Sequence, residues 1–320
     1  MNPLQHLYDQ FNTGDPGAKY ATLPEFPLMI DVELTSACNF RCNFCPTGLG
    51  LVTRPAGLMS STTWQKMVDE CAPYGTALRM IGWGEPLLHP NVVSFINYAS
   101  EKGLLTHLNT NASKLTPRLA EALVDAGLSS IKFSFQGIDR ASYSEARQAD
   151  FFDGMLTAIG WMSLARGHRK LPYIAASTST TSETPEQIEA FRERMEPMVD
   201  YLSVGRTVFD FLDGHAGRLR PRQRELFDKA RAHDSAPKVH PDPCPEVYSK
   251  LSIAWTGEAR VCCNDWDGET NLGKIGETPI SEIWRDKVIE SYRERLARKK
   301  YTGPLCSVCF DYQSLTEGAS

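Results

Sequence analysis

The stretch LMIDVELTSACNFRCNFCPTG, residues 28–48, runs an apolar segment, Met29 to Thr35, directly into cysteines at 38, 42 and 45. A short apolar run bounded by turn formers reads as a buried strand. Similar runs return at Ala77 to Gly82, Leu104 to Asn109, Ser130 to Phe135, Tyr173 to Thr178 and Tyr201 to Arg206. Amphipathic segments near 62–72, 90–102, 116–126, 150–166 and 184–197 lie between them, several opened by Ser, Thr or Asn in an N-cap place. Residues 28–206 therefore hold six strand–helix units of about 30 residues each, the size of a βα unit on a parallel sheet. The pattern predicts an α/β fold built on a partial (β/α)6 TIM-like barrel, with an open doubly wound sheet as the alternative.

On either side of this region the rhythm stops. Residues 1–27 form an N-terminal extension without the basic and apolar regions of a signal peptide. Residues 207–243 read as a bridging segment with one helix near 221–233, ending in Pro237, Pro241 and Pro243. Its Arg218, Arg220, Arg222 and Arg224 are expected mostly on a solvated face. Residues 244–320 form a small C-terminal unit. There Leu251 to Trp255 and Ala259 to Cys262 flank Thr256-Gly257-Glu258, a hairpin signal, and a charged helix is predicted from about Ser281 to Lys300. The cations Arg298, Lys299 and Lys300 would complement the dipole at its end.

The 320 residues carry 34 Lys+Arg against 39 Asp+Glu, a net charge of −5, and 42% are hydrophobic. That balance excludes a disordered or collagen-like chain and argues against broad nucleic-acid binding. No segment approaches the roughly 18 apolar residues of a membrane span. The expectation is a soluble cytoplasmic protein with neither nucleic acid nor membrane as partner. In a reducing compartment, nine cysteines at short spacings read as metal ligands or catalytic thiols rather than disulfides. Cys71, on a helical face with Trp64, Met67 and Val68, reads as a buried small hydrophobe.

Cys38, Cys42 and Cys45 supply three thiolates, whereas zinc sites usually pair two Cys-x2-Cys units. Three ligands leave one metal position without a nearby protein donor, which suits a [4Fe-4S] cluster with one iron open. The Cys-x3-Cys-x2-Cys spacing resembles the radical S-adenosylmethionine (radical SAM) superfamily, in which that iron chelates the methionine end of SAM. The resemblance extends to Phe44, at the family's aromatic position beside the adenine, and to Gly82-Trp83-Gly84-Glu85-Pro86. The latter is similar to the family's Gly-Gly-Glu-Pro motif, with Trp83 in place of the second glycine. There the glycines are expected to let backbone approach the ligand and Glu85 to attract the methionine ammonium. Asn111 in Thr110-Asn111-Ala112, and Ser134 and Gln136 at the end of the fourth strand, fall where the family contacts SAM. Ile174 to Thr178 lacks the family's fifth-strand glycine motif.

Cys244, Cys262, Cys306 and Cys309 form a second group that can close a metal site completely, as a structural zinc or an iron–sulfur cluster. Their order, with Gly257-x4-Cys262, Leu272-Gly273-Lys274-Ile275, Ile283-Trp284 and the final Cys-x2-Cys, resembles the twitch module, a shortened SPASM domain of radical SAM enzymes. That resemblance implies one auxiliary [4Fe-4S] cluster, so two clusters and SAM as cofactors. Cys263 is then a spare thiol, expected by strand alternation to face away from Cys262.

A carbon radical can recover hydrogen from such a thiol on the opposite face, giving epimerisation, or lose an electron to the auxiliary cluster, giving dehydrogenation. The pairing of radical chemistry with a cysteine donor resembles the sugar and aminoglycoside epimerases of the neomycin type. The single-cluster tail resembles scyllo-inosamine dehydrogenase. Epimerisation of a sugar, aminocyclitol or aminoglycoside is favoured, with alcohol dehydrogenation second and peptide epimerisation third, since fewer than 30 residues precede the first strand. The resemblance implies an external electron donor such as flavodoxin or ferredoxin. An iron–sulfur electron carrier or a zinc-stabilised binding module is the non-enzymatic alternative. Arg206, at the sixth strand's end, and Asp265, near Cys263, are the candidate substrate contacts. Glu33, His107 and Asn109 read as satisfied polar residues at strand ends.

Overall fold

Strand β1, Met29–Val32, is buried along its whole length, and its alternate side chains serve two layers. Ile30 and Val32 join the core beneath the helices, while Asp31 turns to the other face and meets Arg79. The computed structural model describes residues 1–12, 23–207, 217, 219–233, 244–303, 305–307 and 309. In it β2 (Ala77–Met80), β3 (Thr106–Thr110), β4 (Ser130–Ser134), β5 (Tyr173–Thr180) and β6 (Tyr201–Arg206) repeat the pattern. Leu78, Met80, Leu108, Ile131, Phe133, Ile174, Ala176 and Leu202 extend the same apolar layer, which Trp64, Phe95, Leu123, Ile159 and Phe191 of the helices cover. Cys71 lies in this core.

The strand order β6-β5-β4-β3-β2-β1, parallel throughout, never reverses. A doubly wound sheet has such a reversal, so the arrangement is the singly wound, partial TIM-like barrel. The sheet continues past β1 into the C-terminal region. Strand β7 (Lys250–Ile253) pairs parallel with β1, and β8 (Glu258–Arg260) and β9 (Gly273–Lys274) follow antiparallel. Gly257, at φ +87°, makes the hairpin turn between β7 and β8. One sheet thus crosses the position where composition places the C-terminal unit's start.

Helix Gln5–Asn12 covers the N-terminal end of β1 and β2, with Leu4 and Leu7 on Met29 and Ala77. The helices after β3 and β5 begin where hydroxyls cap them. Thr116 accepts from Leu119 N–H, and Thr184 and Gln187 form a reciprocal box. A helix absent from the sequence reading, Arg140–Arg147, is started by the same device between Asp139 and Ser142. The predicted helix from Ser281 to Lys300 is two, Ile280–Ile283 and Lys287–Ala297. Asp286 divides them, because its carboxylate accepts the N–H of Val288 and starts a new helix.

In the bridging segment, helix Pro221–His233 is present, with Arg220, Arg222 and Arg224 exposed and Phe227 packed on Leu51. Arg218, Pro237, Pro241 and Pro243 lie outside the described residues. Among the described residues no helix is long and apolar enough to cross a membrane.

Candidate active site

Leaving β1, the chain is turned by Thr35, whose hydroxyl donates to the Gly57 carbonyl at 2.8 Å and accepts the Ala37 N–H at 3.1 Å. Cys45 then occupies the N-cap of helix Pro46–Leu49, and its N–H donates to the Cys42 carbonyl at 3.3 Å. Gly48 makes this fold of the loop possible, since a Cβ there would stand 2.4 Å from the Cys42 carbonyl oxygen. The three thiols consequently open onto one cavity of about 190 Å³ at the C-terminal end of the barrel strands.

Phe44, Gly82, Trp83, Gly84 and Glu85 line the same cavity, as do Asn111 and Ser134 from the ends of β3 and β4. No fourth cysteine and no histidine lines it among the described residues. Burial pushes the Cys45 thiol up to about 11, and burial also raises Cys38. Such thiols stay protonated at neutral pH until a metal takes them. Three sulfurs and no further protein donor fit a [4Fe-4S] cluster with one iron left for an outside ligand.

Glu85 is almost wholly buried and accepts from the Thr110 hydroxyl at 2.6 Å, the Asn111 N–H at 2.7 Å and the Leu87 N–H at 3.1 Å. Burial raises its carboxyl, and these donors oppose the rise. Its first task is therefore to shape the Thr110–Asn111 turn against the cavity. The glycines also serve the chain's own packing. A Cβ on Gly84 would lie 2.0 Å from the Thr35 carbonyl oxygen, and one on Gly82 2.8 Å from the Glu33 side chain. Both glycines let this loop close onto the segment that follows β1.

Asn111 points its amide at Asn39 Oδ1, 3.1 Å away, and at Cys38 Sγ, 3.8 Å away. Gln136 lies outside the cavity. It donates to the Thr207 hydroxyl and lines an adjoining hollow beyond Phe44.

Arg147 is the cavity residue that the sequence reading missed. It ends the helix capped by Asp139, and that Asp139-x2-Ser142 capping pattern was the available signal. Its guanidinium stacks over the Phe44 ring with 5.2 Å to the centroid, donates to the carbonyls of Ser134 and Phe135, and lies 3.7 Å from Cys42 Sγ. Its Nε is buried without a hydrogen-bond partner.

The second cysteine group also converges. Cys244, Cys262, Cys306 and Cys309 line one apolar hollow with Tyr292, Leu296 and Tyr301. All nine cysteines are free of disulfides. Burial raises Cys306 to about 11 and drives Cys244 upward as well. Four half-buried sulfurs in an apolar setting fit a fully ligated cluster by donor chemistry.

Cys263 does not face away from Cys262. Strand β8 ends at Arg260, so both cysteines lie in a turn where strand alternation no longer applies, and their thiols lie with the Glu246 carboxylate inside a 4.8 Å group. Cys263 nevertheless stays off the four-thiol hollow. Its carbonyl accepts the indole N–H of Trp83 at 2.8 Å, which ties the turn to the wall of the first cavity.

Asp265 is not placed for substrate. Its two oxygens accept the N–H groups of Gly268, Glu269 and Thr270 and the Thr270 hydroxyl, between 2.6 and 3.0 Å. It is a buried loop organiser with its lone pairs engaged. Arg206 closes β6 opposite Thr180 and lines neither cavity. Alternation puts it on the side of Leu202, beneath the helices. Glu33 receives Arg54, and His107 is engaged by Ser130 and Asn109, as expected of satisfied polar residues.

Residues 32–163 match the radical SAM superfamily, and residues 244–310 match an iron–sulfur cluster-binding domain of the SPASM type. The PqqA peptide cyclase of Gluconobacter oxydans is 32% identical over 281 residues, covering 82% of this chain and 78% of that protein. An AdoMet-dependent heme synthase of Nitratidesulfovibrio vulgaris is 22% identical over 99% of this chain and 91% of its own length. Against the AdoMet-dependent heme synthase of Methanosarcina barkeri, 32% identical over 38% of this chain, the match spans 34% of the relative. Among solved structures, BtrN in complex with AdoMet and 2-DOIA aligns with a TM-score of 0.56 at 20% identity over 88% of this chain and 92% of BtrN. Streptococcus suis SuiB aligns at 0.65 and 16% identity over 91% and 72%. At these identities the structures speak for the fold.

Proposed function

Because the chain belongs to the radical SAM superfamily and carries a SPASM-type iron–sulfur domain, we propose that it is a radical epimerase of a sugar or aminocyclitol, aminoglycosides included, with Cys263 as hydrogen donor. The observation that carries this is the position of Cys263, outside the four-cysteine hollow yet bonded through its carbonyl to Trp83 of the first cavity.

In this reading Cys38, Cys42 and Cys45 hold the radical-generating [4Fe-4S] cluster, and Cys244, Cys262, Cys306 and Cys309 hold the auxiliary one. Reduced by a flavodoxin- or ferredoxin-type donor, the first cluster and SAM supply a 5′-deoxyadenosyl radical that removes hydrogen from a carbinol carbon. Phe44 flanks the adenine. Glu85 and the Asn111 turn receive the methionine ammonium. Arg147, with its unpartnered Nε, meets the methionine carboxylate. The Cys263 S–H bond breaks as a new C–H bond forms on the opposite face, a downhill transfer because the S–H bond is the weaker. One electron from the external donor and one solvent proton then restore the thiol.

A second reading, alcohol dehydrogenation, draws on the contact of Cys263 with Cys262 and Glu246, which keeps that thiol beside the auxiliary site. There the substrate radical gives up an electron and a proton and leaves as a carbonyl. Turnover in deuterium oxide with a panel of sugars and aminocyclitols separates the two. Epimerisation yields a product with one solvent deuterium, lost in Cys263→Ala. A carbonyl product lacking two hydrogens and formed equally well by Cys263→Ala overturns it. Reconstituted protein should hold about eight irons; a stoichiometric zinc protein without iron overturns both readings.

A further inference from the structure

Among the described residues, the inner face of β1 to β4 carries one charged side chain without a hydrogen bond or ion pair. Alternation places Asp31, Arg79, His107 and Lys132 on this face of β1 to β4, where Asp31 pairs in register with Arg79, Arg79 with His107, and Asn109 with Lys132. The other charges are taken. Asp31 accepts from Arg79 Nε at 2.6 Å and Nη2 at 2.7 Å, Glu33 accepts from Arg54 Nη1 at 2.6 Å, and Lys250 pairs with Glu246. His107 holds Ser130 Oγ and Asn109 Oδ1 at 2.9 and 2.8 Å, and burial, reinforced by Lys132 and Arg79, lowers it to about 3, so its ring is neutral. Lys132 makes no hydrogen bond or ion pair with any described residue. Burial, and then the Arg79 cation, pull its ammonium below the ordinary lysine range against a weaker pull from Asp31.

Its place gives this charge a use. Asn109, across the ladder from Lys132, and Ser134, two residues further along the same face, both line the cavity of Cys38, Cys42 and Cys45. Lys132 therefore stands one inner-face position below that cavity. Toward the open edge of the barrel the position beside Lys132 is the small Ala175, followed along the same face by Ser177 and Ser203, with Tyr173 and Tyr201 at the N-terminal end of that face. Lys132 is half-buried, so its amine keeps contact with the barrel interior, and with no ion pair or hydrogen bond among the described residues it is open to donate a charge-assisted hydrogen bond to an anion. A cationic substrate would instead meet the like charge of Lys132.

We propose that Lys132 anchors an anionic group, a carboxylate or a phosphate, on the substrate. This rests on the reading of the site as one for a hydroxylated small molecule. It narrows that class to acidic sugars and cyclitols and away from aminoglycosides.

The test uses reconstituted, SAM-loaded protein labelled with 13Cε-lysine, in which the Lys132 resonance is the one missing from Lys132→Arg. Inorganic phosphate, acetate, glucose 6-phosphate, glucuronate, glucosamine and glucose are titrated in turn. The expected result is a saturable shift of Lys132 with phosphates or with carboxylates, and binding of that anionic sugar about tenfold or more weaker in Lys132→Met, with glucose unaffected. Glucose 6-phosphate against glucuronate tells which anion is meant. A shift with simple anions but not with either anionic sugar keeps the anion site and sinks the sugar reading. Sugars that bind without moving Lys132, glucosamine moving it as much as the anions, or no response to any anion overturn the proposal.

Discussion

The indole N–H of Trp83 donates to the backbone carbonyl of Cys263 at 2.8 Å, a bond between residues 180 positions apart. Trp83 replaces a glycine of the motif it resembles, and its ring spans from the three-thiol cavity to the turn that carries Cys262. Trp83→Phe removes the donor and keeps an aromatic ring. The expected cost is about 1 kcal/mol in unfolding free energy. The EPR spectrum of the auxiliary cluster should shift while iron content stays the same. A variant with wild-type stability and spectrum would mean that the bond does not couple the two loops.

Gly84 meets the chain after β1 so closely that a methyl group cannot be added without moving backbone. Gly84→Ala should lower stability by about 1–3 kcal/mol. Glu85 and Asn111, displaced with the loop, should then bind SAM more weakly, which equilibrium dialysis measures. Gly50→Ala is the control, since no atom lies within 4 Å of a Cβ there and its left-handed φ of +72° costs only local strain. SAM affinity in that variant should be unchanged.

Asp265 binds four donors of its own loop, so its role shows in stability before it shows in substrate affinity. Asp265→Ala should destabilise the protein by at least about 3 kcal/mol and lower auxiliary iron, because the loop begins at Cys262. Wild-type thermal unfolding combined with a raised KM would restore Asp265 as a substrate contact.

His107 sets part of the acid sensitivity. Burial, Lys132 and Arg79 hold the folded ring at about 3 against 6.5 when unfolded. The unfolded chain therefore takes up a proton that the folded one refuses, and stability falls as pH drops from 6.5 toward 3. About 2 kcal/mol should be lost between pH 7 and pH 5 in urea titrations. His107→Gln should remove that part of the slope. Asp31 contributes lower down: burial raises its carboxyl, but Arg79 and Lys250 outweigh burial and hold it below the usual range. Its share is present above the unfolded value and disappears only as pH falls through the folded one.

Residues close in sequence carried most of what was legible. The period-two apolar runs mark the six barrel strands because a strand facing a helix layer must present apolar side chains at alternate positions. Cys38, Cys42 and Cys45 announce a shared ligand site because seven or eight residues of loop cannot hold them apart. Gly257 announces its hairpin by being a glycine in a turn.

Where two distant segments meet, spacing is silent. Whether Cys263 faces toward or away from Cys262 depends on β8 ending at Arg260, which is set by its short pairing with β9. Arg147 reaches Cys42 only because the helix capped at Asp139 packs under the cysteine loop. Asp265 is used up by a loop that closes on itself. Among the described residues Lys132 is left without an ion pair because Arg79, from a strand two positions away in the sheet, has taken Asp31. The sequence by itself determined the barrel and the two sulfur ligand groups, because these follow from local period and spacing, and radical chemistry followed from the family resemblance those groups carry. The tertiary structure decided which polar groups remain free to act, because a charge or lone pair is available only after every neighbour brought by the fold has been counted.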